Sequence, residues 1–320
     1  MDKLDDFMSL NHNKGLYATD IRTSLNRISL KATLSMKFVF KRSFIFLLIF
    51  CFPILSFCKS KELTIATWNL QHFGKSKSDS IIQVIAEVVK DFDIIAIQEV
   101  VGKSGGKKAL ARLKIALNQH AGSWQFVLSE RPTTGNNQYE YYAFLWNEEK
   151  VALHQAWLEK SFKDEITREP YLGTFIFQKD TFTLVNFHAV PKSKQPEREI
   201  KYLKYYPAIY HAKKLIFLGD FNTPQSHTVF IPLKRMGFEP ALVGQKTTLK
   251  MKCAGIKCLA SEYDNIFFNT TQFRKIQSGI VPFFYQKAKT MQDARKVSDH
   301  VPVFLKFVFN SMSSRRNSKR

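Results

Sequence analysis

Cysteine, acidic residues and long apolar runs are all scarce in this sequence. The 320 residues include four cysteines, and 27 Asp and Glu stand against 48 Lys and Arg. Cys253 and Cys258 form a C-x4-C pair in the body of the chain, without the partner histidines that would argue for a zinc site. In an oxidising compartment they could instead form a disulfide. No internal repeat or low-complexity linker interrupts residues 61–310, a length that suits one α/β domain.

One apolar run, Phe44–Leu55, has twelve residues and is too short to span a bilayer comfortably. It follows a basic stretch at 37–42 and precedes Ser56 and Cys58, which have the spacing that a signal peptidase requires. This order predicts a signal peptide that is cleaved after Cys58, and a secreted or periplasmic protein. A lipid anchor on Cys58 is disfavoured because Phe57 is bulky where a small residue is expected. A buried helix or a retained membrane anchor is the remaining alternative.

Four segments follow from these patterns. Residues 1–35 form an N-terminal extension or reflect a mis-assigned start, because Met36 stands where an initiator would precede the signal. Residues 36–60 are the signal peptide, 61–310 the folded domain and 311–320 a basic tail. The folded domain carries 35 basic and 23 acidic residues. This excess suits nucleic acid or an anionic membrane surface as the partner, although it could also serve solubility alone.

Short apolar runs alternate with amphipathic stretches along the folded domain. Helices are predicted over 78–90, 106–119 and 196–206, the last ending before Pro207. Strands are predicted over 63–69, 93–100, 141–147, 171–177, 181–190, 214–222, 263–269 and 301–309. Strand–helix–strand order early in the chain, followed by hairpin-like strands, predicts an α/β fold with two packed sheets and helices outside.

Polar side chains recur at the ends of these strands. In the stretch "KLIFLGDFNTP", Asp220 and Asn222 directly follow the apolar run Leu215–Gly219. The same placement is found for Asn69, Glu99, Glu140, Arg168, His188, Asp264, Asp299 and His300. Each of these residues alone could be a cap, a turn residue or a surface charge. Because all of them are rooted in rigid strands, together they predict a single functional constellation.

The chemical types in this set complement one another. Four residues are hard oxygen ligands that suit Mg²⁺ or Mn²⁺ rather than zinc, namely Asn69, Glu99, Asp220 and Asp299. His188 and His300 titrate near neutral pH and can serve as general base and general acid, with Glu140 and Asp264 available to fix their tautomers. Two further residues can bind phosphate oxygens, Arg168 and Asn222. The set predicts metal-assisted phosphodiester cleavage by in-line attack of water.

Eight motifs occur in the order seen in the endonuclease/exonuclease/phosphatase superfamily: "ATWNLQHFG", "IAIQEV", "YEYYAF", "REP", "HAVP", "GDFN", "YDNI" and "SDHVPV". The chain resembles most closely the deoxyribonuclease I family, because "REP", the glutamate of "YEYY" and the "N-x-Q-x-F-G" opening are narrower motifs than "GDFN" and "SDH". The resemblance covers residues 63–308. It implies a four-layer α/β sandwich, in which two packed, mostly antiparallel sheets are flanked by helices and the site lies at one end of the sheets.

The same resemblance implies a role for each site residue. The catalytic set would be two acid/base dyads, His188–Glu140 and His300–Asp264, together with Asp220. The cation, Mg²⁺ or Mn²⁺ with Ca²⁺ as a structural or activating alternative, would be surrounded by Asn69, Glu99, Asp220 and Asp299. The scissile phosphate would be held by Arg168 and Asn222. The implied protein is a secreted endonuclease that hydrolyses DNA, as a monomer and without an obligate protein partner.

Two positions depart from the family pattern, and two other functions stay open. Val101 stands where the mammalian enzymes commonly have an arginine that enters the minor groove, and Gln138 replaces a tyrosine. A secreted sphingomyelinase of the same superfamily would use nearly the same residues, and the run "IVPFFY" (280–285) would favour it if its aromatic side chains were exposed rather than in a buried strand. A catalytically inactive polyanion-binding module is the third possibility, although every proposed catalytic position holds a competent residue.

Overall fold

The structure is a computed structural model that describes residues 62–120, 122–133, 140–253 and 257–310. The chain divides into two units, Met1–Lys59 and Ser60–Arg320, and all described residues belong to the second. The predicted extension at 1–35, the signal peptide at 36–60, the basic tail at 311–320 and Gln138 lie outside the described residues. Those parts of the sequence analysis stay predictions.

The strands build two sheets of six strands each within the described part of the chain. They are β1 (Leu63–Phe73), β2 (Ile94–Val101), β3 (Trp124–Leu128), β4 (Glu140–Asn147), β5 (Ala152–Leu158), β6 (Tyr171–Phe177), β7 (Asp180–His188), β8 (Leu215–Asp220), β9 (Phe238–Pro240), β10 (Asp264–Asn269), β11 (Phe273–Ile280) and β12 (Val303–Phe309). The first sheet has the order β11-β12-β1-β2-β4-β3, and the second has the order β5-β6-β7-β8-β10-β9.

Each sheet has one parallel pair at its centre, β1–β2 in the first and β7–β8 in the second. The other pairings between described strands are antiparallel. The carboxyl ends of two parallel strands meet at the same edge of a sheet. In the second sheet this brings the last residues of β7 and β8 into register, so that His188 lies beside Asp220.

Six α-helices lie in the described residues: α1 (Asp79–Val89), α2 (Lys103–Asn118), α3 (Glu197–Ile200), α4 (Tyr206–Ile209), α5 (Ile231–Arg235) and α6 (Met291–Val297). Short 3-10 helices span Lys192–Lys194, Lys201–Tyr205, Thr228–Phe230 and Phe283–Tyr285. α1 begins at Ser78, whose side chain accepts a hydrogen bond from the Ile81 amide at 3.3 Å. None of the described helices is long and apolar enough to cross a membrane.

Three apolar clusters define the layers. Ile82 of α1 and Leu110 of α2 pack with Ile95 on the outer face of the first sheet. Phe175 and Leu305 belong to the cluster that fills the space between the two sheets. The outer face of the second sheet is covered by side chains of the helical segment 197–209, among them Ile200, Leu203 and Tyr206. The order helix, sheet, sheet, helix is the four-layer sandwich that the resemblance implied, and the two mostly antiparallel sheets confirm the predicted fold class.

Two of the predicted elements are wrong in form. The helix predicted over 196–206 is three short segments instead, and it continues through Pro207, which occupies the first turn of α4, where proline is tolerated. The run 280–285 is not a strand, because β11 ends at Ile280 and a 3-10 helix follows. Phe283 and Phe284 in this run are buried, and Phe283 packs against Trp68 at 5.2 Å between ring centroids. Tyr285 at the end of the run is 53% exposed, so one of its three aromatic side chains faces solvent and the other two belong to the core.

Candidate active site

The ten residues singled out in the sequence converge at one end of the sandwich. Asp220, the last residue of β8, is buried and lies at the centre of the group. His188 Nε2 and His300 Nε2 lie 3.5 and 3.7 Å from Asp220 Oδ2. Hydrogen bonds and ion pairs link six of the remaining seven residues directly to these three, and Glu99 is linked through Asn69. The structure therefore brings the ten residues together, and their chemical roles stay predictions.

Three backbone features aim the side chains into this site. Glu99 has φ 59°, at an irregularity in the pairing of β2 with β4, and Asn222 has φ 49° directly after β8. Both are in the left-handed region, which is uncommon for residues other than glycine and is found often at functional sites. Gly219 has φ 145°, and a Cβ there would lie 1.9 Å from the Phe187 carbonyl oxygen. Only glycine thus lets β8 approach β7 closely enough to place Asp220 beside His188.

The first histidine pair contains a third member, Arg168. His188 Nδ1 lies 3.3 Å from Glu140 Oε2, and the same carboxylate oxygen accepts a hydrogen bond from Arg168 at 2.9 Å. Burial alone would raise the pKa of Glu140, but the close contact with the His188 ring and the charge of Arg168 outweigh it and lower the pKa to about 2. Glu140 is consequently ionised at neutral pH and can orient the His188 ring.

The second pair is more deeply buried. His300 Nδ1 lies 2.7 Å from Asp264 Oδ2, which also accepts a hydrogen bond from the Thr247 hydroxyl at 2.6 Å. Burial would lower the pKa of His300, but the charges of Asp264 and Asp220, the Asp264 hydrogen bond and the charge of Asp299 raise it to about 10. This pair holds its proton at neutral pH, with Nε2 facing Asp220.

A cluster of oxygen donors lies beside the two histidines. Asn69 Nδ2 donates to Glu99 Oε1 at 2.9 Å and to Asp220 Oδ2 at 3.1 Å, so one amide joins a carboxylate from each sheet. Asp299 Oδ1 lies 4.0 Å from His300 Nε2. The side-chain oxygen of Asn69 accepts from the Gln71 amide, which fixes its orientation with the nitrogen towards the carboxylates. Asn69 thus contacts the predicted metal ligands, and whether it ligates an ion itself stays a prediction.

This donor set fits a hard divalent cation. The predicted ligands offer carboxylate and carboxamide groups, and no cysteine lies among them. Among the described residues, possible ligand atoms of Asp220, Asp264 and His300 lie within 4.8 Å of one another, a group that shares only Asp220 with the predicted ligands. Within the predicted set, Glu99 and Asp220 both accept hydrogen bonds from Asn69 Nδ2, and a bound cation would relieve the repulsion between these two carboxylates.

Arg168 and Asn222 meet at the backbone that follows His188. Arg168 donates to the carbonyl oxygens of His188 at 3.0 Å and Ala189 at 2.6 Å, and Asn222 Nδ2 donates to Ala189 O at 3.1 Å. The guanidinium of Arg168 uses three of its five N–H groups in these two bonds and the bond to Glu140, so two N–H groups are left for an anion. The two predicted phosphate-binding side chains therefore meet at the Ala189 carbonyl, directly after His188.

Sequence reasoning missed the residues that hold this arrangement from behind. Glu199 is buried, and it accepts hydrogen bonds from the amides of Thr167 at 2.8 Å and Val190 at 2.9 Å, which flank Arg168 and His188. The Ser298 hydroxyl donates to the Asn69 carbonyl oxygen at 2.6 Å and accepts from the His300 amide at 2.9 Å. Ser298 belongs to the "SDH" motif and could have been included on that basis. Glu199 does not lie in a motif of this kind, and its partners, Thr167 and Val190, lie in other segments of the chain, so the local sequence does not mark its role.

A buried polar contact ties the two sheets together behind the site. Gln98, next to Glu99, donates to Asn186 Oδ1 at 2.6 Å and to the Thr67 hydroxyl at 2.9 Å. Asn186 lies two residues before His188 on the second sheet. Because an unpaired buried amide is costly, this contact favours one alignment of the two halves of the site.

Lys77 and the two body cysteines lie outside the predicted set of site residues. Lys77 Nζ donates to the carbonyl oxygens of Lys296 at 3.0 Å and Val297 at 2.8 Å. Burial lowers the pKa of Lys77 to about 8, against the opposing charges of Asp299 and Glu99. Cys253 and Cys258 are joined by a disulfide with 4.7 Å between their Cα atoms, as the sequence allowed.

Comparison with known proteins agrees with this geometry. A model of the Endonuclease/Exonuclease/phosphatase family matches residues 66–300. A deoxyribonuclease of Thioalkalivibrio sp. (strain K90mix) is 28% identical over 277 residues, covering 78% of this chain and 72% of that protein. Deoxyribonuclease-1 of Equus caballus is 28% identical over 267 residues, covering 76% of this chain and 91% of that protein. These two proteins are what the chain is similar to across most of its length.

Solved structures share the fold at lower identity. The crystal structure of a functionally unknown conserved protein from Enterococcus faecalis V583 aligns with a TM-score of 0.58 and 17% identity. The alignment covers 78% of this chain and 100% of that protein. At this identity the likeness supports the sandwich architecture and carries no statement about substrate.

Proposed function

The chain belongs to the endonuclease/exonuclease/phosphatase family, and on this premise we propose that it is a divalent-metal-dependent deoxyribonuclease. The observation that carries the proposal is the convergence of two histidine–carboxylate pairs on Asp220, with His188 and His300 both within 3.7 Å of its Oδ2. Similarity to proteins named as deoxyribonucleases supports DNA as the substrate. Mg²⁺ or Mn²⁺ is the proposed ion, with Ca²⁺ as the alternative.

The proposed reaction is attack of a water molecule on phosphorus, in line with the leaving oxygen. His188 and His300 divide the proton transfers, one accepting the proton of the water and the other supplying a proton to the leaving oxygen. Glu140 and Asp264 fix the ring orientations through the Nδ1 atoms. Arg168 and Asn222 bind the phosphate oxygens and orient the scissile bond.

Four residues would hold the cation: Asn69, Glu99, Asp220 and Asp299. A bound divalent ion supplies charge neutralisation at the phosphate during the reaction. Asn69 contributes further by fixing Glu99 and Asp220 through its amide nitrogen. That contact holds a carboxylate of each sheet in position before substrate arrives.

The remaining parts of the proposal concern processing and assembly. We propose that residues 61–310 act as the catalytic domain, released as a secreted or periplasmic monomer after cleavage of the signal peptide at 36–60. N-terminal sequencing of the protein from its native host should begin near Lys59. A mature protein that still carries residues 1–35 would contradict the processing proposal without affecting the catalytic one.

A substrate panel tests the proposed activity. The purified protein is incubated with plasmid DNA, RNA and sphingomyelin, each with Mg²⁺, Mn²⁺, Ca²⁺ or EDTA. The expected result is metal-dependent cleavage of DNA and intact sphingomyelin. If sphingomyelin is cleaved and DNA stays intact, the protein is a phospholipid-cleaving phosphodiesterase and the deoxyribonuclease proposal is wrong. Binding of DNA without cleavage under any metal would show an inactive polyanion-binding module.

A further inference from the structure

A dense group of cations follows His188 along the chain. Five lie within thirteen residues: Lys192, Lys194, Arg198, Lys201 and Lys204. The first four are exposed and Lys204 is partly exposed. Across the described part of the chain, no carboxylate lies within ion-pair distance of any of the five, and two flanking lysines differ in this respect. Lys160 pairs with Glu130 at 4.0 Å, and Lys214 pairs with Asp180 at 2.6 Å.

The acidic residues nearby do not neutralise these cations. Glu199 is buried, and its oxygens accept backbone hydrogen bonds. Glu197 is half-buried, and Asp164 and Glu165 are exposed on the neighbouring loop, all beyond ion-pair distance of the five cations. The segment 192–204 therefore carries a net positive charge that is available to an anionic partner.

Aromatic rings interleave with the cations on the same surface. Lys201 Nζ lies 5.1 Å from the ring centroid of Tyr202, and Lys204 Nζ lies 4.9 Å from that of Tyr205. Phe162 packs against both rings, at 5.1 Å from Tyr202 and 5.6 Å from Tyr205. Tyr205 is 45% exposed, so part of its ring stays accessible to a partner beside its contacts with Lys204 and Phe162. We call these rings and the five cations the Lys–Tyr surface.

This surface is joined directly to the candidate active site. Glu199, a buried residue of the same chain segment, accepts hydrogen bonds from the Val190 amide, two residues after His188, and from the Thr167 amide, next to Arg168. Ala189, between His188 and Val190, accepts the hydrogen bonds of Arg168 and Asn222. The basic segment 192–204 therefore follows directly on the stretch of backbone that Arg168 and Asn222 contact.

We propose that the Lys–Tyr surface binds the substrate strand beyond the scissile phosphate as unpaired, single-stranded nucleic acid. Lysines track the phosphates, and an exposed ring stacks on an unstacked base. Bases inside a duplex are already stacked on each other and are not available to stack on a tyrosine ring. The exposed ring therefore favours a single strand as the ligand of this surface. This inference rests on the proposed function, because it assigns further contacts with the substrate strand next to the same site.

The test measures binding separately from cleavage. The full-length protein carrying His188→Ala is titrated, by fluorescence anisotropy and at several salt concentrations, against a labelled single-stranded oligonucleotide and against the same oligonucleotide annealed to its complement. Tyr205→Ala should weaken single-strand binding by roughly 5- to 100-fold and leave duplex binding almost unchanged. Tyr205→Phe, which keeps the ring, should bind as the parent does. For single-strand binding, the logarithm of the binding constant falls linearly with the logarithm of the salt concentration. Lys201→Ala/Lys204→Ala should make this slope shallower by about 1.4, since each lost phosphate contact removes about 0.7.

Lys213→Ala is the matched control. Lys213 also lies over an aromatic ring, 5.0 Å from the centroid of Trp157, but it precedes β8 and so lies at the opposite end of that strand from Asp220. It should bind single strands as the parent does. The proposal is overturned if Tyr205→Ala binds within twofold of the parent, if single-strand and duplex binding fall equally, or if Lys213→Ala loses as much.

The result also separates this proposal from the proposed function. If the wild-type protein cleaves DNA while the surface variants bind normally, the surface proposal fails alone. If the surface variants lose single-strand binding but the wild type cleaves no nucleic acid, the surface proposal stands and the deoxyribonuclease proposal fails. Binding to vesicles of anionic lipid that the surface variants weaken relative to the parent, with no binding of the parent to oligonucleotide, would overturn the surface proposal in favour of a membrane partner.

Discussion

At the scale of the residue, the site is organised around one buried carboxylate. Asp220 is 1% exposed, and its oxygens accept hydrogen bonds from Asn69 Nδ2 at 3.1 Å and from the Asn222 amide at 2.9 Å, with both histidines nearby. Burying a carboxylate is costly unless it is hydrogen-bonded. These contacts therefore offset the cost of burying Asp220 at the end of β8 and fix its position between the two histidines.

Removing either histidine should strongly reduce turnover. His188→Ala or His300→Ala is expected to lower kcat for DNA cleavage by about 10²–10⁴-fold, the usual contribution of a positioned acid or base. Glu140→Gln should cost less, because His188 stays in place but loses its charged partner. The double variant His188→Ala/Glu140→Gln should be only slightly worse than His188→Ala, since the pair acts as a unit.

Glu140 has two partners in the structure, because it contacts His188 and also accepts a hydrogen bond from Arg168 at 2.9 Å. The double variant Arg168→Lys/His188→Ala therefore separates the effect of Glu140 on the histidine from its effect on the arginine. If the losses of His188→Ala and Glu140→Gln multiply fully, the pairing of these two residues is wrong. Near-normal DNA cleavage by His188→Ala would mean that this histidine has no catalytic role.

Glu140 should also make the fold sensitive to acid. Its pKa is about 2 in the folded protein and 4.5 ordinarily, so its ionised form stabilises the fold above about pH 4.5 and this stabilisation is lost as the pH falls towards 2. Urea unfolding at pH 7 should show Glu140→Gln less stable than wild type by at most about 3 kcal/mol. The difference should shrink as the pH falls below 4.5. Glu149→Gln, an exposed carboxylate after the same strand, should show no such pH-dependent difference.

At the scale of the element, the site is held by strand ends and by one helical segment. β7 and β8 end together in a parallel pair, and α3 supplies Glu199 behind them. The two backbone amides bound by Glu199 belong to the chain segments that carry Arg168 and His188. The position of these two side chains relative to each other therefore depends on one carboxylate that does not face the substrate.

Glu199→Gln should lower kcat by about 10²-fold, because a misplacement of about 1 Å at a catalytic group has an effect of this size. A glutamine keeps one acceptor oxygen and turns an NH₂ group towards the other amide. Steady-state cleavage of DNA, measured well below the melting temperature, gives kcat and KM separately, and KM should change less than kcat.

Glu159→Gln is the control for loss of stability alone. Glu159 is also buried, at 4% exposure, and accepts a hydrogen bond from the Ser161 amide at 2.8 Å, away from the histidines. Both variants should be destabilised by about 1–3 kcal/mol, the usual cost of an orphaned buried group. Equal kcat values for the two variants would show that Glu199 serves stability and does not position the site.

Buried strands were predicted from the sequence better than exposed ones. β6 at 171–177 was predicted with its observed bounds, and β2 and β8 nearly so, because their apolar runs face cores on both sides. The four strands that were missed are the four at the sheet edges, β3, β5, β9 and β11, and of these β5 and β11 expose much of their length. Short apolar runs without edge exposure are what local patterns detect best.

The candidate site shows the same division at the level of side chains. The ten predicted residues lie in motifs at strand ends, so local sequence and family resemblance together were enough to find them. Glu199 and Gln98 act through partners 9 to 88 residues away, and nothing local marks such contacts. Their roles are set by tertiary packing, which a single sequence does not display.

At the scale of the whole molecule, the two sheets must be assembled for the site to exist. The first sheet and its flanking segments contribute Asn69, Glu99 and Glu140, and the second contributes His188 and Asp220. Asn69 and Gln98 connect the sheets at this end by hydrogen bonds to Asp220 and Asn186. Charges of the same sign from both sheets meet there, so a bound cation should also stabilise the assembled fold, and the melting temperature should rise with metal concentration.

The central claim is that carboxylates from both sheets hold a divalent cation required for DNA hydrolysis. The most direct measurement is plasmid cleavage by wild type and Asp220→Asn, after exhaustive chelation and after return of Mg²⁺ or Mn²⁺, with circular dichroism confirming that both are folded. The account predicts that chelation abolishes wild-type cleavage, that either ion restores it, and that Asp220→Asn is not restored. Cleavage that survives chelation, or a folded Asp220→Asn protein that cuts DNA at the wild-type rate, would contradict it.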